Sequence, residues 1–439
     1  MQEVDIIIKN GLVITIDSNS TIYSKGHLVI DKGVIVEITD DESVLTNYQS
    51  KKSIDASSKL IMPGFVNTHT HTGNTIYRGF ADDMPLKKWL EEYIFPVESK
   101  FCTVETVRLS AQLSIIEMLK GGTTCFSDMY YFEDEVAKVC DEIGMRAELG
   151  ETLLDFPSPT APNSDVAIDY TEELITNWNA HELVTIAITP HAPYTCNDDT
   201  LVKSKKLAEK YDVPYHMHVS ESKYEVQQSL EKHNATPVKH LDDLGLWKDG
   251  DFAVHCVHLT EEDRELLKEK GIAVAHNPRS NMKLSSGIAP IQDLINRGIL
   301  CGMGTDGTAS NNNLNMIKEM DTAAMLSKVH TMDPTSLDAK TMVQMGTING
   351  ASLLGLDDKI GSLEKGKSAD VIIIDLNQAQ LIPMYDPYSH IVYSMNGSEV
   401  ETTIVNGNIL MENRQLNTIN EEKILTEVKI LQEKIKKEF

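Results

Sequence analysis

The chain has 439 residues and is strongly acidic, with 66 Asp and Glu against 40 Lys and Arg and a formal charge of -26 at pH 7. This charge repels phosphate backbones and anionic lipid heads, and no apolar run approaches membrane-spanning length, so nucleic acids and membranes are excluded as partners. The six cysteines form no Cys-x-x-Cys pair and the N-terminus lacks the basic and apolar regions of a signal peptide, so we expect a cytoplasmic protein with reduced thiols.

The two flanks of the chain have the pattern of short strands. In residues 1–60, apolar or alternating runs are separated by turn signals such as Asn10-Gly11, and residues 369–412 show the same pattern around Asn406-Gly407. Each flank alone is marginal for an independent core. We therefore predict that residues 1–60 and 365–420 form one composite β-sandwich.

Between the flanks, short runs rich in Val, Ile and Ala alternate with segments of helical periodicity. This alternation implies right-handed crossovers and a parallel sheet. Eight such units fit a (β/α)8 barrel of roughly 250 residues, which we predict for residues 61–364. An open doubly wound sheet is the alternative, but no Gly-x-Gly-x-x-Gly follows the first strand. The predicted strands are residues 61–68, 123–130, 146–154, 184–192, 214–221, 251–259, 272–278 and 300–307.

The last segment, residues 421–439, is charged and has helical periodicity. Ile424, Val428, Leu431 and Ile435 fall on one face. The segment is too short for a coiled coil, so we predict an amphipathic helix that docks on its own domain.

Histidines recur at the C-terminal ends of the predicted strands, where active sites lie in this architecture. His69 and His71 follow the first strand, and side chains two apart in an extended chain point the same way. Asp306 ends the eighth strand and offers an oxygen ligand that can also accept a proton. A lone histidine on an apolar strand is usually a core residue, but this repetition predicts a site for zinc or a similar divalent cation. The other histidines at these ends are His191, His216, His218, His255, His258 and His276.

Several segments resemble a known family. They are PGFVNTHTH at 63–71, HMHVSE at 216–221, GTDG followed by ASNN at 304–312, and GSLEKGKSAD at 361–370. They are similar to the amidohydrolase superfamily and, more narrowly, to the 5'-methylthioadenosine/S-adenosylhomocysteine deaminases, over nearly the whole chain. The resemblance implies a barrel with a β-sandwich and metal-dependent hydrolytic conversion of an adenine to hypoxanthine with release of ammonia.

The resemblance also implies a ligand set. The residues alone leave open whether His216 or His218 binds the metal, because both lie on one strand face; the family spacing selects His218. With His69, His71 and Asp306 it would hold one divalent ion, Zn²⁺. Binuclear relatives carry a carboxylated lysine at the end of the fourth strand, where this chain has residues 189–191, Thr-Pro-His.

Catalytic roles follow from the same resemblance. Glu221 would protonate the ring nitrogen, while Asp306 and His255 would take the proton of the attacking water and pass it toward the departing ammonia. The alternative for Glu221 is a surface carboxylate in the first turn of a helix, where Glu is favoured.

Substrate contacts are also implied by the resemblance. Trp89 would line the pocket, Glu98 would bind the ribose hydroxyls, and His191 would contact the purine or its sugar, with Glu221 at the ring. For Trp89, core packing of an amphipathic helix is an equally good interpretation.

One position departs from the family pattern. Relatives that accept S-adenosylhomocysteine hold its carboxylate with arginines near the third strand, where this chain has Glu151, and no arginine occurs in residues 147–263. Because arginine is the side chain that binds carboxylates in bidentate fashion, we predict a preference for adenosines with an uncharged 5' group. Arg279, near the end of the seventh strand, could compensate.

Two other functions stay open at this point. One is a related aminohydrolase or chlorohydrolase acting on a guanine, pterin or triazine ring. A screen of substrates for ammonia release would distinguish it from an adenosine-type deaminase. The other is a catalytically inactive scaffold. Such a protein would lack some of the metal-binding residues, whereas every candidate ligand is present in this chain. We expect a small-molecule nucleoside as the partner and a homo-oligomeric protein.

Overall fold

A computed structural model describes residues 1–178 and 180–438, so residue 439 of the predicted terminal helix lies outside the described residues. The strands are β1 (Gln2–Ile14), β2 (Ile22–Asp31), β3 (Val34–Thr39), β4 (Tyr48–Asp55), β5 (Lys59–Pro63), β6 (Phe65–Thr70), β7 (Thr123–Tyr130), β8 (Arg146–Leu153), β9 (Val184–Ile186), β10 (Thr189–Pro190), β11 (His216–Val219), β12 (Phe252–His255), β13 (Ala273–His276), β14 (Cys301–Met303), β15 (Val371–Asp375), β16 (Val400–Val405), β17 (Asn408–Glu412) and β18 (Gln415–Leu416).

The helices include a π-helix, Leu90–Ile94, and short 3-10 helices at Glu42–Asn47, Thr72–Tyr77 and Ala379–Leu381. The α-helices are α1 (Leu86–Trp89), α2 (Phe95–Phe101), α3 (Val104–Gly121), α4 (Glu133–Ile143), α5 (Ser164–Trp178), α6 (Asp198–Tyr211), α7 (Lys223–His233), α8 (Pro237–Asp243), α9 (Glu261–Lys270), α10 (Pro278–Lys283), α11 (Ile291–Asn296), α12 (Thr308–Asn311), α13 (Met316–Thr331), α14 (Ala339–Met345), α15 (Ile348–Leu353), α16 (Pro387–Tyr393) and α17 (Glu421–Lys436). No described helix is long and apolar enough to cross a membrane.

The middle of the chain forms two parallel sheets with helices between the strands, which confirms the predicted α/β class. The first has the order β10-β8-β7-β6, with β9 also pairing with β8, and the second has the order β11-β12-β13-β14. A parallel bridge between Ile188 and Tyr215 links the two sheets. At the other side, the Asp306 N–H donates to the His69 carbonyl at 2.9 Å, so the segment after β14 is held beside β6.

Both flanks contribute to one nine-stranded sheet of order β18-β17-β16-β15-β5-β1-β2-β3, with β4 also pairing with β1. Strand β5 joins the flanks, because it runs parallel to β1 and antiparallel to β15. The strand predicted at residues 61–68 is therefore two strands, broken between Pro63 and Phe65. Apolar side chains of both flanks, including Ile8, Leu28 and Val371, share one core.

The turn predicted at Asn10-Gly11 is wrong, because both residues lie inside β1. Asn10 has a φ of 68°, and the register with β2 shifts between Ile8 and Gly11. A Cβ at Gly11 would collide with the side chain of Ile61. The pair therefore forms a bulge that lets β1 approach β5 closely, whereas Asn406-Gly407 does join β16 to β17.

A helical segment, residues 86–101, runs without interruption through α1, the π-helix and α2. Its Trp89, Ile94 and Val97 pack with Ile435 of α17 in one apolar cluster. The buried side chains of α17 are Ile424 and Ile435. The end of the chain thus packs against this segment and stabilises it. The π-helical turn in the segment also points to function, because such turns occur frequently at functional sites.

We expect Ile435→Ala to lower the free energy of unfolding by about 2 kcal/mol, because it removes a buried aliphatic side chain. It should also speed hydrogen–deuterium exchange in residues 86–101, measured by mass spectrometry. Ile430→Ala, at a position on the same helix that is 56% exposed, is the matched control and should change neither. Unchanged exchange in residues 86–101 of Ile435→Ala would contradict the support by α17.

Candidate active site

The side chains predicted as metal ligands meet at the C-terminal ends of β6, β11 and β14. The Nε2 atoms of His69 and His218 lie 3.1 Å apart. Asp306 Oδ1 lies 3.1 Å from His71 Nε2 and 3.7 Å from His69 Nε2. Ligand atoms of His69, His71 and Asp306, and likewise those of His69, His218 and His255, lie within 4.8 Å of one another. The predicted set is therefore brought together, with His255 beside it.

Backbone carbonyls fix the orientation of two of these imidazoles. His71 Nδ1 donates to the Met129 carbonyl at 2.5 Å, and His218 Nδ1 donates to the His191 carbonyl at 2.6 Å. With the proton on Nδ1, the Nε2 lone pair is free to bind a cation. Lone pairs and one carboxylate oxygen thus point at a common centre, which is the donor set that zinc prefers.

Asp306 is held by hydroxyl groups on one side and faces the histidines on the other. Ser280 and Ser310 donate to its Oδ2 at 2.5 and 3.1 Å. Burial favours the neutral acid, but the hydrogen bond and charge of His71 outweigh it and lower the pKa of Asp306 well below its ordinary value. Asp306 therefore stays an anionic ligand.

Gly304, two residues before Asp306, is required by close packing. A Cβ at this position would collide with the amide of Asn277 and lie 3.0 Å from the backbone nitrogen of His69. The glycine thus lets the strand that carries Asp306 approach the strand that carries His69.

Glu221 and His255 face each other beside the predicted metal ligands. The His255 Nε2 lies 3.8 Å from Glu221 Oε2. His255 Nδ1 donates to the Asn281 amide oxygen at 2.8 Å, and the Ser286 hydroxyl donates to Glu221 Oε1 at 3.1 Å. Burial raises the pKa of Glu221, so its carboxyl group is suited to carry a proton.

Glu225 is a residue of the site that the sequence prediction missed. Its carboxylate accepts the N–H groups of Ser220 at 2.7 Å and of Glu221 at 2.8 Å, so it fixes the backbone that carries Glu221. The sequence did contain a signal for Glu225, because Ser222 and Glu225 have the Ser-x-x-Glu spacing of a capping box at the start of α7. Other partners that were not predicted are Tyr130, Ser280, Asn281 and Ser310.

The predicted substrate residues lie in the same cavity. Glu98 accepts a hydrogen bond from the Tyr130 hydroxyl at 2.7 Å, and burial raises its pKa to about 7. Trp89 lines the cavity while its Nε1 donates to the Ala81 carbonyl at 3.1 Å, so it is both pocket wall and core. The predicted residues that line this cavity are His71, Trp89, Glu98, His191, His218, Glu221, His255 and Asp306.

Residues 60–410 match the Amidohydrolase family. The chain belongs to this family. It is 44% identical over 436 residues to the 5-methylthioadenosine/S-adenosylhomocysteine deaminase 1 of Syntrophus aciditrophicus, covering 99% of this chain and 98% of that protein. It is 42% identical over 427 residues to the 5'-deoxyadenosine deaminase of Methanococcoides burtonii, covering 97% and 96%.

A solved structure agrees with this assignment. The crystal structure of an adenosine deaminase from Xanthomonas campestris with bound zinc has a TM-score of 0.97 to this chain at 35% identity, and covers 99% of both chains. The resemblance to the amidohydrolases and their methylthioadenosine/S-adenosylhomocysteine deaminases is thus confirmed.

Two residues expected to influence the specificity of this amidohydrolase lie elsewhere. Glu151 is fully buried and accepts the Glu133 N–H at 3.2 Å, and burial raises its pKa to about 8. Arg279 Nε donates to the Asn311 amide oxygen at 3.2 Å. Neither lines the cavity, whereas Thr152 does, because successive side chains of a strand face opposite sides. The structure therefore places neither Glu151 nor Arg279 at the wall of this cavity.

His216 lies apart from the metal ligands of the amidohydrolase site. Its ring stacks on Phe252 with centroids 4.1 Å apart, and its Nε2 lies 3.6 Å from Glu148 Oε1. Burial lowers the pKa of His216 to about 3 and raises that of Glu148 to about 8. The geometry therefore places His218, not His216, in the cluster.

Glu148 makes stability depend on pH. Its pKa rises from 4.5 to about 8 on folding, so between these values the folded state binds more protons and the free energy of unfolding falls as pH rises. We expect Glu148→Gln to make this fall shallower, measured by urea unfolding from about pH 5 to about pH 8. The exposed Glu182→Gln is the control. Equal slopes for wild type and Glu148→Gln would refute the assignment.

His218→Ala should remove most of the bound metal, because it deletes an imidazole at the centre of the cluster. Metal per chain would be measured by plasma mass spectrometry after purification with zinc. His258→Ala is the matched control, because His258 follows β12 nearby but its Nε2 donates to the Ser286 carbonyl at 2.6 Å. Full metal content in His218→Ala would contradict the ligand assignment.

Proposed function

We propose that this amidohydrolase deaminates the adenine ring of 5'-methylthioadenosine, 5'-deoxyadenosine, adenosine or related 5'-modified adenosines to hypoxanthine. Water adds at C6, the bond from C6 to the amino nitrogen breaks, and ammonia leaves. The observation that carries the proposal is that Glu221, His255 and Asp306 line one cavity with His71 and His218. Relatives named as deaminases of such nucleosides, 44% and 42% identical over nearly the whole chain, support it.

We propose that His69, His71, His218 and Asp306 hold one Zn²⁺. Their converging nitrogen and oxygen atoms and the zinc in the adenosine deaminase from Xanthomonas campestris support this ion. The residues at the end of β10, Thr189, Pro190 and His191, include no lysine that could bridge a second metal ion. When bound, the ion supplies Lewis acidity that lowers the pKa of water toward neutrality.

The side chains around the ligands move the protons. Asp306 Oδ1 and His255 Nε2 accept the proton of the attacking water and deliver it to the departing amino group. Glu221 donates a proton to the neighbouring ring nitrogen, for which the raised pKa of its carboxyl group is suited. Asn281 keeps the His255 Nε2 free by accepting from Nδ1, and Glu225 keeps Glu221 in place.

The nucleoside would lie across the cavity. Glu98, fixed by Tyr130, binds the ribose hydroxyls, and His191 contacts the purine or its sugar. Trp89 supplies an apolar wall through its ring, because its N–H is already bonded to a carbonyl. The carboxyl group of Glu221 lies at the ring end.

The finer architecture is also proposed. The bridge between Ile188 and Tyr215 and the hydrogen bond from Asp306 to His69 support a closed eight-stranded barrel. The shared core of the nine-stranded sheet supports a composite β-sandwich. Its first chain segment ends near Pro63 and its second begins near residue 365. A nucleoside partner, a homo-oligomeric state and a cytoplasmic location stay predictions from the sequence.

The proposal is tested by following adenine-to-hypoxanthine conversion in the ultraviolet with zinc-loaded protein. We expect turnover of at least one of the named adenosines, and Glu221→Gln should lower kcat by about 10²–10⁴ with its metal content unchanged. Glu231→Gln, an exposed carboxylate on α7, is the matched control and should retain activity. Zinc-loaded protein that deaminates none of these adenosines would overturn the proposal.

The cavity predicts which 5' groups are accepted. Among the described residues that line it, the ionisable side chains are acids, histidines and tyrosines, and none is a lysine or arginine. A carboxylate on the 5' group would find no cation there. We expect kcat/KM to be higher for 5'-methylthioadenosine than for S-adenosylhomocysteine by about tenfold, equivalent to one lost charged hydrogen bond. A higher value for S-adenosylhomocysteine would show that the tail binds elsewhere.

A further inference from the structure

Helices α6, α7 and α8 bring a second group of metal-ligating side chains together on the surface. Asp198 lies in the first turn of α6, His233 ends α7, and His240 lies in α8. One ligand atom of each lies within 4.8 Å of the other two. We propose that Asp198, His233 and His240 bind a divalent transition metal ion such as Zn²⁺, separately from the active-site ion.

The arrangement is close to that of a zinc site. His240 Nε2 lies 3.0 Å from Asp198 Oδ1, near the spacing of ligands that surround an ion at about 2.0–2.2 Å. The rings of His233 and His240 stack, with centroids 3.5 Å apart and planes 27° apart, and a ring nitrogen of His233 lies within 4.8 Å of the ligand atoms of Asp198 and His240. Two imidazoles and a carboxylate leave the fourth position open to water.

A purely structural role explains only part of this group. The contact between His240 and Asp198 by itself ties α8 to α6. The side chain of His233 makes no hydrogen bond or ion pair within the described part of the chain, and its recorded ring contact is the stacking on His240.

The site is distinct from the active site but reaches toward it. None of the three residues lines the active-site cavity, but the groove that contains His233 and His240 also contains Tyr194 and Glu225. Tyr194 lines the active-site cavity as well. An ion here would join α6, α7 and α8, and it would restrain the helix whose Glu225 fixes the backbone of Glu221. Binding to the folded state alone also stabilises it by mass action.

The test uses the full-length protein with its active-site metal in place, equilibrated with micromolar Zn²⁺ and analysed for zinc per chain. We expect wild type to hold one more equivalent of zinc than the double variant His233→Ala/His240→Ala. Added zinc should raise the Tm of wild type and not that of the double variant. Asp198→Asn keeps a hydrogen-bond acceptor for His240 but weakens the metal ligand, so it should lower the zinc affinity without loss of folding.

His181→Ala is the matched control. His181 pairs with Asp141 on the surface at 3.1 Å, and this pair belongs to none of the groups of potential ligands found in the described residues. The His181→Ala variant should therefore hold as much zinc as wild type. Equal zinc in wild type and the double variant, or an equal loss in His181→Ala, would overturn the proposal. The readout is metal content and Tm, so this outcome is independent of deaminase activity.

Discussion

The site depends on one electrostatic constraint, which is that nitrogen lone pairs and a carboxylate converge in a space from which water is largely removed. Such groups repel one another unless a cation lies between them. Neighbouring strands enforce the arrangement, because the carbonyls of Met129 and His191 accept the Nδ1 protons of His71 and His218. Left-handed backbone at Asp306, with a φ of 60°, shows that the chain accepts local strain to place this ligand.

Three of the four predicted metal ligands have a local signal in the sequence, whereas the choice of His218 over His216 came from the family resemblance. His69 and His71 are two residues apart at the end of one strand, and Asp306 ends another. Strand positions were predictable for the same reason, since apolar runs and helical periodicity are patterns within single segments. What could not be read locally is the set of groups that orient the ligands. The Ser280 hydroxyl meets Asp306 only because the chain turns back after β13.

Two geometric features separate residues that the sequence alone does not distinguish. Glu151 and Thr152 differ by one position, and that parity decides which of them faces the cavity. His216 and His218 share a face of β11, but His216 lies one step earlier along the strand, where it stacks on Phe252 instead of meeting the ligands. The face of the sheet on which a side chain lies follows from alternation along its own strand. Its level along the strand direction depends on the stagger of neighbouring strands, which no single segment specifies.

The ionisable groups of the cavity also favour a neutral ring over a charged substrate. Glu98 and Glu221 are buried there, and burial raises the pKa of both carboxyl groups. Because its pKa is raised to about 7, the carboxyl group of Glu98 can either donate or accept a hydrogen bond at neutral pH, which suits a ribose that offers both kinds of partner. Asp306 is the exception, because His71 lowers its pKa. One cavity thus holds the anionic Asp306 beside two carboxyl groups whose pKa is raised, and the difference comes from the imidazole next to Asp306 rather than from burial, which all three carboxyl groups share.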